Sequence, residues 1–408
     1  MPLPTPCEQR SKMVAIAVGL GALLLQAAAA WHPTPHSKAP NATAGEELFE
    51  RAVAAVRGCA AQDDAYLSCA LGAEAGAWDF HFHRFGPAQI TNPTGRGGQL
   101  TLVEGFDVLH CAGAHAPGRR IRRACPLAPR GFNDTEAVLL THPWGGNFQH
   151  YVFELLPRAW LAAELLRRAR PDEAEPAFVV HLRKHQRTGF FADAARLATG
   201  TEIELAADQE GRRGFRNVWV PPYVADNFRA WSNLGLKALR HIHAKAQETY
   251  VTRPPRPGTI VYFTRRDASA GKGRALVNEA ELIEALAGRG VHIMDFSAFP
   301  TLGDRVRGLA NYSVVVTPFG AGFANLVFAH PGARWLAVCP PTMCNSHERF
   351  FLDQLTSALG FQTGVQYTVA TAARAVNDGG GGAGDPANVP YSVDVPAVVR
   401  VVEGLARS

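Results

Sequence analysis

Residues 316–328, VTPFGAGFANLVF, decide how the chain is read. Residues 313–317 run into them as a continuous, β-branched segment, the pattern of a strand buried on both faces. Gly320 and Gly322 carry no Cβ, so the chain can turn sharply there and bring backbone N–H groups close to a ligand. From Phe323 to about Ala329 the residues read as a short helix whose N-terminus faces the turn. Such an end offers free N–H groups and about half a positive charge, which suits a phosphate. Strand, glycine turn and helix together point to a nucleotide or nucleotide-sugar site. The plainer alternative is an ordinary glycine-bearing βα turn.

The neighbouring residues repeat the same alternation. Residues 253–258 (RPPRPG) read as a linker, 259–264 (TIVYFT) as a strand, and Asn278, three residues before Glu281, as a capping-box-like start for a helix to about Ala287. A strand over 291–296, a helix over 301–310, the strand 313–317 and a strand over 334–338 complete a Rossmann-like doubly wound unit. The glycine run 379–382 reads as an insertion and 396–405 as a closing helix.

The first half is less regular. A helix is expected around 46–56, short β segments from Gly98, a strand over 136–141 and a long helix from the GGNF loop to about Arg170. Strands over 177–182 and 217–221 flank a helix over 190–198, so βαβ units recur. The expectation is an α/β protein with two Rossmann-like lobes facing a cleft: 98–250 on the acceptor side and 251–408 for the nucleotide-sugar. Segments 1–12, 13–31 and 32–97 are assigned to a cytosolic tail, a signal anchor or signal peptide, and a stem with an N-terminal extension.

Composition fits this picture. The chain has 408 residues, is 47% hydrophobic and 19% charged, and carries a net charge of +5. That is a globular chain, and its basicity is too mild to argue for nucleic acid. Arg10 and Lys12 precede the uncharged segment 13–30, which as a helix spans about 27 Å, close to a bilayer core of about 30 Å. Anchored or cleaved, it places the remainder in the secretory lumen, with a Golgi or endoplasmic-reticulum type II topology as the expectation. Beyond Cys7 stand Cys59, Cys69, Cys111, Cys125, Cys339 and Cys344, and sequence-neighbour pairing is expected. Sequons stand at Asn41, Asn133 and Asn311, whereas Pro93 excludes Asn92.

Several chemistries drop out. The run Gly320-x-Gly322-x-x-Asn325 lacks the third glycine and the downstream acid of a dinucleotide site, and there is no Walker lysine. No Asp-x-Asp occurs, so a departing diphosphate would be neutralised by arginines and helix dipole rather than by a carboxylate-held metal; no cofactor and no metal are expected. The loop after 259–264 supplies Arg265, Arg266, Lys272 and Arg274, and a guanidinium can give a diphosphate two parallel hydrogen bonds. On the long helix, His150 and Glu154 are four apart and project together, with Arg158 adjacent. They form either a solvated face or a cleft-facing group able to take a proton from an acceptor hydroxyl. His81-x-His83 and His241-x-His243 raise a metal-dependent hydrolase as a further reading, without a matched third ligand.

Three blocks, GGNFQHYVFELLPRAWLA, FTRRDASAGKGRALVNEAELIEAL and VVVTPFGAGFANLVFAHPGARWLAV, occur in an order and spacing that resemble the family 61 glycosyltransferases. The resemblance runs from about residue 100 to 405. It implies a two-lobed glycosyltransferase-B fold and inverting transfer from a UDP-sugar, as in xylan side-chain transferases and secretory-pathway O-linked N-acetylglucosaminyltransferases. The donated sugar would be a pentose or N-acetylglucosamine, and the acceptor a glycan or glycoprotein. By position, Arg265, Arg266 and Arg274 would bind the diphosphate, with Gly320, Ala321, Gly322 and Asn325 around the nucleotide-sugar. Glu154 would be the base at the acceptor side and His150 its alternative or orienting partner. One position departs from the pattern: Phe319 stands where the family carries a histidine. The competing reading is therefore a binding protein that keeps the pocket without turnover.

Overall fold

The structure, a computed structural model, describes residues 42–62, 66–74, 78–85, 88–91, 101–104, 107–110, 122–124, 132–140, 147–174, 176–180, 189–201, 203–205, 213–226, 230–265, 276–318, 320–339, 354–355, 358–359, 368–369 and 391–407. The tail, the apolar segment 13–31, most of the basic loop and the glycine run lie outside them. Among the described residues no helix is long and apolar enough to cross a membrane.

Helix α1 (Ala42–Ala60) opens the described fold and is longer than expected. Leu48, Phe49, Ala52, Val53 and Val56 recur at helical spacing and are all buried, which is what holds it. Its end is tied to strand β1 (Tyr66–Glu74) by the disulfide Cys59–Cys69, with Cα atoms 6.0 Å apart, as neighbour pairing predicts. β1 pairs antiparallel with β2 (Trp78–Phe85), where Phe80, Phe82 and Arg84 turn inward at every second position. Further strands are β3 (Ala88–Thr91), β4 (Thr101–Glu104), β5 (Asp107–His110), β6 (Arg122–Ala124), β7 (Phe132–Leu140), β8 (Ala177–Val180), β9 (Ile203–Leu205) and β10 (Arg213–Val220).

These ten strands make one mixed sheet in the order β6-β5-β4-β3-β10-β7-β8-β9, with the β1–β2 hairpin joined through β2 to β10. Only β10, β7, β8 and β9 are mutually parallel; β3 to β6 form an antiparallel meander. The first half therefore has the parallel α/β core that the recurring βαβ units predict, extended by an antiparallel meander that the Rossmann-like expectation does not include. The sheet also recruits β1–β3, from the segment read as stem and extension.

Helix α2 comprises Phe148–His150, a π turn at Tyr151–Leu155, and Leu156–Ala169. Pro157 supplies the reason for the π turn. It has no N–H for the carbonyl of Phe153, and the ladder slips one residue in front of it, Leu156 N–H donating to Tyr151 O. α3 (Phe190–Thr199) follows, then the short pair β11 (Ala225–Asp226) and β12 (Ala230–Trp231), and α4 (Asn233–Tyr250), capped by Ser232.

The second sheet is wholly parallel: β13 (Arg256–Thr264), β14 (His292–Asp295), β15 (Tyr312–Pro318), β16 (Arg334–Cys339) and β17 (Thr368–Val369), in the order β14-β13-β15-β16-β17. Successive residues face opposite sides. Val314 and Val316 pack with α5 (Glu279–Ala287) and α7 (Val395–Arg407), while Val315 packs with α6 (Leu302–Leu309) and the residues of α2, α3 and α4. Helices on both faces make this the doubly wound unit read from the sequence. Asn278 departs from its expected role. It does not cap α5; its side chain instead clamps both backbone groups of Val393 at 2.9 and 3.0 Å, seating the approach to α7.

Candidate active site

The order β14-β13-β15 places the crossover of the winding between β13 and β15. In open parallel sheets ligands bind outside the carboxyl ends of the strands at such a point. Arg265 follows β13 there, and Gly320 follows β15. A buried carboxylate fixes the first of these. Glu279 Oε1 accepts hydrogen bonds from Tyr262 Oη at 2.9 Å, Thr264 Oγ1 at 3.0 Å and the backbone N–H of Arg265 at 3.2 Å. Gly320 has φ 149°, a region L side chains avoid, and a Cβ there would run into the Arg265 guanidinium. Arginine and glycine turn are thus brought together, the arginine lying directly against the turn.

The turn leads into a 3₁₀ helix over Ala321–Phe328, tighter and two residues earlier than the helix expected. Gly322 lies close on Phe296, so that a Cβ would come within 3.1 Å of that ring, and Phe296 stacks on Phe263 at 4.0 Å. Asn325 is fully buried and braces the turn from inside: Nδ2 donates to Gly322 O at 2.6 Å, and Oδ1 accepts from Arg305 at 3.0 Å. Its amide is engaged by the protein. Ala321 is half-buried at the start of the helix. Arg266, Lys272, Arg274 and Phe319 lie outside the described residues.

The 3₁₀ helix packs against the first turn of α2 and against its π turn. On these turns His150 Nδ1 meets Glu154 Oε2 at 3.1 Å. Both residues are buried, Glu154 at 2% exposure and His150 at 8%, which rules out the solvated-face reading of this stripe. Glu154 is the deeper of the two. Arg158, adjacent to them in the sequence pattern, is buried as well. It rivets α2 to the segment after β10, donating to Pro221 O at 2.9 Å and Pro222 O at 3.2 Å with its guanidinium 4.2 Å from the Tyr223 ring.

His241 and His243 lie on α4, where residues two apart diverge. His243 is buried with Nδ1 2.9 Å from Val327 O, while His241 lies exposed against Trp160. They do not form a ligand pair. Among the described residues no cluster of His, Cys, Asp and Glu could hold a metal ion; for His81 and His83 the backbone alone is described.

Glu279 and Arg305 were not singled out from the sequence. A charged residue in an amphipathic helix reads as solvated, and only the convergence of distant segments buries Glu279 and half-buries Arg305.

Residues 148–336 match the sequence model of the family described as Glycosyltransferase 61, a span that contains the His150–Glu154 pair, Arg265 and the glycine turn. No curated protein matches the chain. The segment that matches is the one that builds the crossover site, and it is in this segment that the chain is similar to the family 61 glycosyltransferases.

Proposed function

We propose that the protein transfers a sugar from a UDP donor to a glycan or protein hydroxyl with inversion at the anomeric carbon, in the lumen of the secretory pathway. The observation that carries this reading is the Arg265 guanidinium against Gly320 at the sheet crossover. A cation and a side-chain-free turn are what a diphosphate needs, one for charge and the other for close approach.

In the reaction the acceptor oxygen bonds to the anomeric carbon as the bond from that carbon to the diphosphate oxygen breaks. UDP leaves with the electron pair, and the hydroxyl proton passes to a base on the opposite face. Burial favours exchanging the expected roles of the two residues on α2. With Nδ1–H donating to Glu154, the imidazole lone pair lies on Nε2, which takes the proton, and Glu154 orients the ring. Arg265 neutralises the charge that develops on the leaving diphosphate, joined by Arg266 and Arg274 from the same loop. The donor sugar belongs to the pentose or N-acetylglucosamine class.

The test is to incubate the purified protein with UDP-xylose, UDP-arabinose and UDP-N-acetylglucosamine, and to follow UDP release and product anomer. Release of UDP from one donor, with an inverted product, is expected. Phe319, in the family's histidine position, motivates the second reading: UDP binding without release from any donor would make the chain a nucleotide-binding protein on the same fold.

A further inference from the structure

Arg305 on α6 reaches the meeting point of four segments. Nη1 donates to Asn325 Oδ1 at 3.0 Å, and Nη2 donates to the carbonyls of Phe296 at 3.2 Å and Phe299 at 3.3 Å. Three rings surround the guanidinium: Phe148 at the start of α2, 5.1 Å away, Phe190 on α3 at 4.6 Å, and Phe296 at 5.4 Å. Nε is shielded from solvent and has no hydrogen-bond partner among the described residues. Among those residues Arg305 forms no ion pair, and the charge of Asp295 acts on it from a distance. Burial pushes its pKa down to about 10, so the side chain remains a cation at neutral pH.

A largely desolvated cation held by neutral acceptors and ring faces is costly unless an anion completes the arrangement. The anion-shaped feature nearby is the glycine turn. Asn325 links the two directly, with Oδ1 on Arg305 and Nδ2 on the Gly322 carbonyl. Phe296 links them again, its ring under Gly322 and its carbonyl on Nη2.

We propose that Arg305 is a positioning residue for the diphosphate: it holds Asn325, and through it the Gly320–Gly322 turn, and it supplies a half-buried positive field whose counter-ion is the bound anion. This rests on the nucleotide-sugar reading of the turn. It adds a cation one layer behind the surface, which Arg265 alone does not provide.

The experiment titrates UDP, uridine and inorganic pyrophosphate into the wild-type protein and into Arg305→Met and Arg305→Lys, with the melting temperature of each recorded. Methionine keeps the packing between the rings and removes the charge. It should weaken UDP and pyrophosphate roughly tenfold, the loss of one charge-assisted interaction, and leave uridine within about twofold. Lysine should restore part of the loss. Wild-type affinity for UDP in Arg305→Met overturns the proposal, as does an equal loss for UDP and uridine, which would mark a packing role. Should Arg305→Met fail to fold, Asn325→Asp decides, since it gives Arg305 a carboxylate partner. Weaker UDP binding supports the proposal and unchanged binding overturns it. Wild-type binding of pyrophosphate but not UDP, with the Arg305 effect retained, defeats the nucleotide reading and leaves this one standing. Binding of neither anion overturns both.

Discussion

Glu136 and Glu154 are both buried carboxylates of the first half, and their surroundings differ in kind. Glu136, on β7, accepts hydrogen bonds from Arg170, Arg216, Asn217 and Trp219. Burial alone would raise its pKa, but the bonds from Asn217, Arg170 and Trp219 and the charge of Arg170 outweigh burial and hold the carboxyl below its ordinary value. The donors come from the end of α2 and from β10, so this network locks helix to sheet. Glu154 meets an imidazole instead, a group that can itself gain and lose a proton, on a π turn packed against the 3₁₀ helix of the other sheet. A carboxylate saturated with permanent donors stabilises a fold. A carboxylate facing a titratable base can orient that base for proton transfer.

This contrast is open to direct attack. Glu154→Gln should lower turnover about 10²–10⁴-fold, as expected for loss of a correctly oriented base, with little change in melting temperature. Combining it with His150→Ala should add little, because the two act as one unit. Turnover near wild type in folded Glu154→Gln would reduce that region to packing.

Arg265→Ala comes next in size. It should weaken UDP roughly tenfold to a hundredfold by calorimetry, with Arg265→Lys recovering part. Gly320→Ala should move affinity the same way, since its Cβ displaces the guanidinium. Equal affinity across the set would remove the diphosphate from the crossover.

Glu136→Gln should act on the other side of the comparison, costing about 1–3 kcal/mol in urea unfolding with turnover per folded molecule unchanged. The pH dependence has a defined sign. Because the folded pKa of Glu136 lies below the ordinary 4.5, its contribution is present above that value and lost as pH falls through the folded pKa. Wild type should therefore lose more stability than Glu136→Gln in that acid range; parallel curves would break the assignment.

The smallest effect concerns His243. Burial lowers its pKa from the ordinary 6.5; the bond to Val327 O opposes the shift and the nearby His330 adds to it. The folded state keeps His243 neutral while the unfolded chain takes up a proton, so stability is complete above 6.5 and declines below it, by at most about 1.4 kcal/mol per pH unit. His243→Gln should flatten the melting-temperature curve between pH 6.5 and 5.5.

The parallel sheet was the legible part of the molecule. Strands buried on both faces must be β-branched runs, and residues 313–317 are one, so β15 and its turn could be placed from composition alone. The mixed sheet was not, because a meander of short strands leaves only brief alternations, and Trp78–Phe85 shows its inward Phe80 and Phe82 only once pairing is known. Helix α4 carries weaker signals: Ser232 caps it and Leu234, Ala238, Leu239, Ile242 and Ala246 mark its buried side, but polar and basic residues interrupt the apolar stripe. The turn with Arg265 could be anticipated because loops leaving one sheet edge converge. The burial of Glu154 could not, since a His–Glu stripe four residues apart looks the same on a wet helix as on a covered one.

Helix α4 also bears on whether the chain can be divided. A cut after Tyr250 is the natural seam on paper, just before the RPPRPG stretch. Yet His243 meets the carbonyl of Val327, and Gln247 donates to those of Phe328 and Ala329, so α4 terminates the 3₁₀ helix of the sheet that follows it. A fragment starting beyond Tyr250 would leave those carbonyls without their partners and uncover the end of the 3₁₀ helix. A split at this seam therefore severs the strap that finishes the 3₁₀ helix, and an engineered exchange of the first sheet would have to leave α4 with the second.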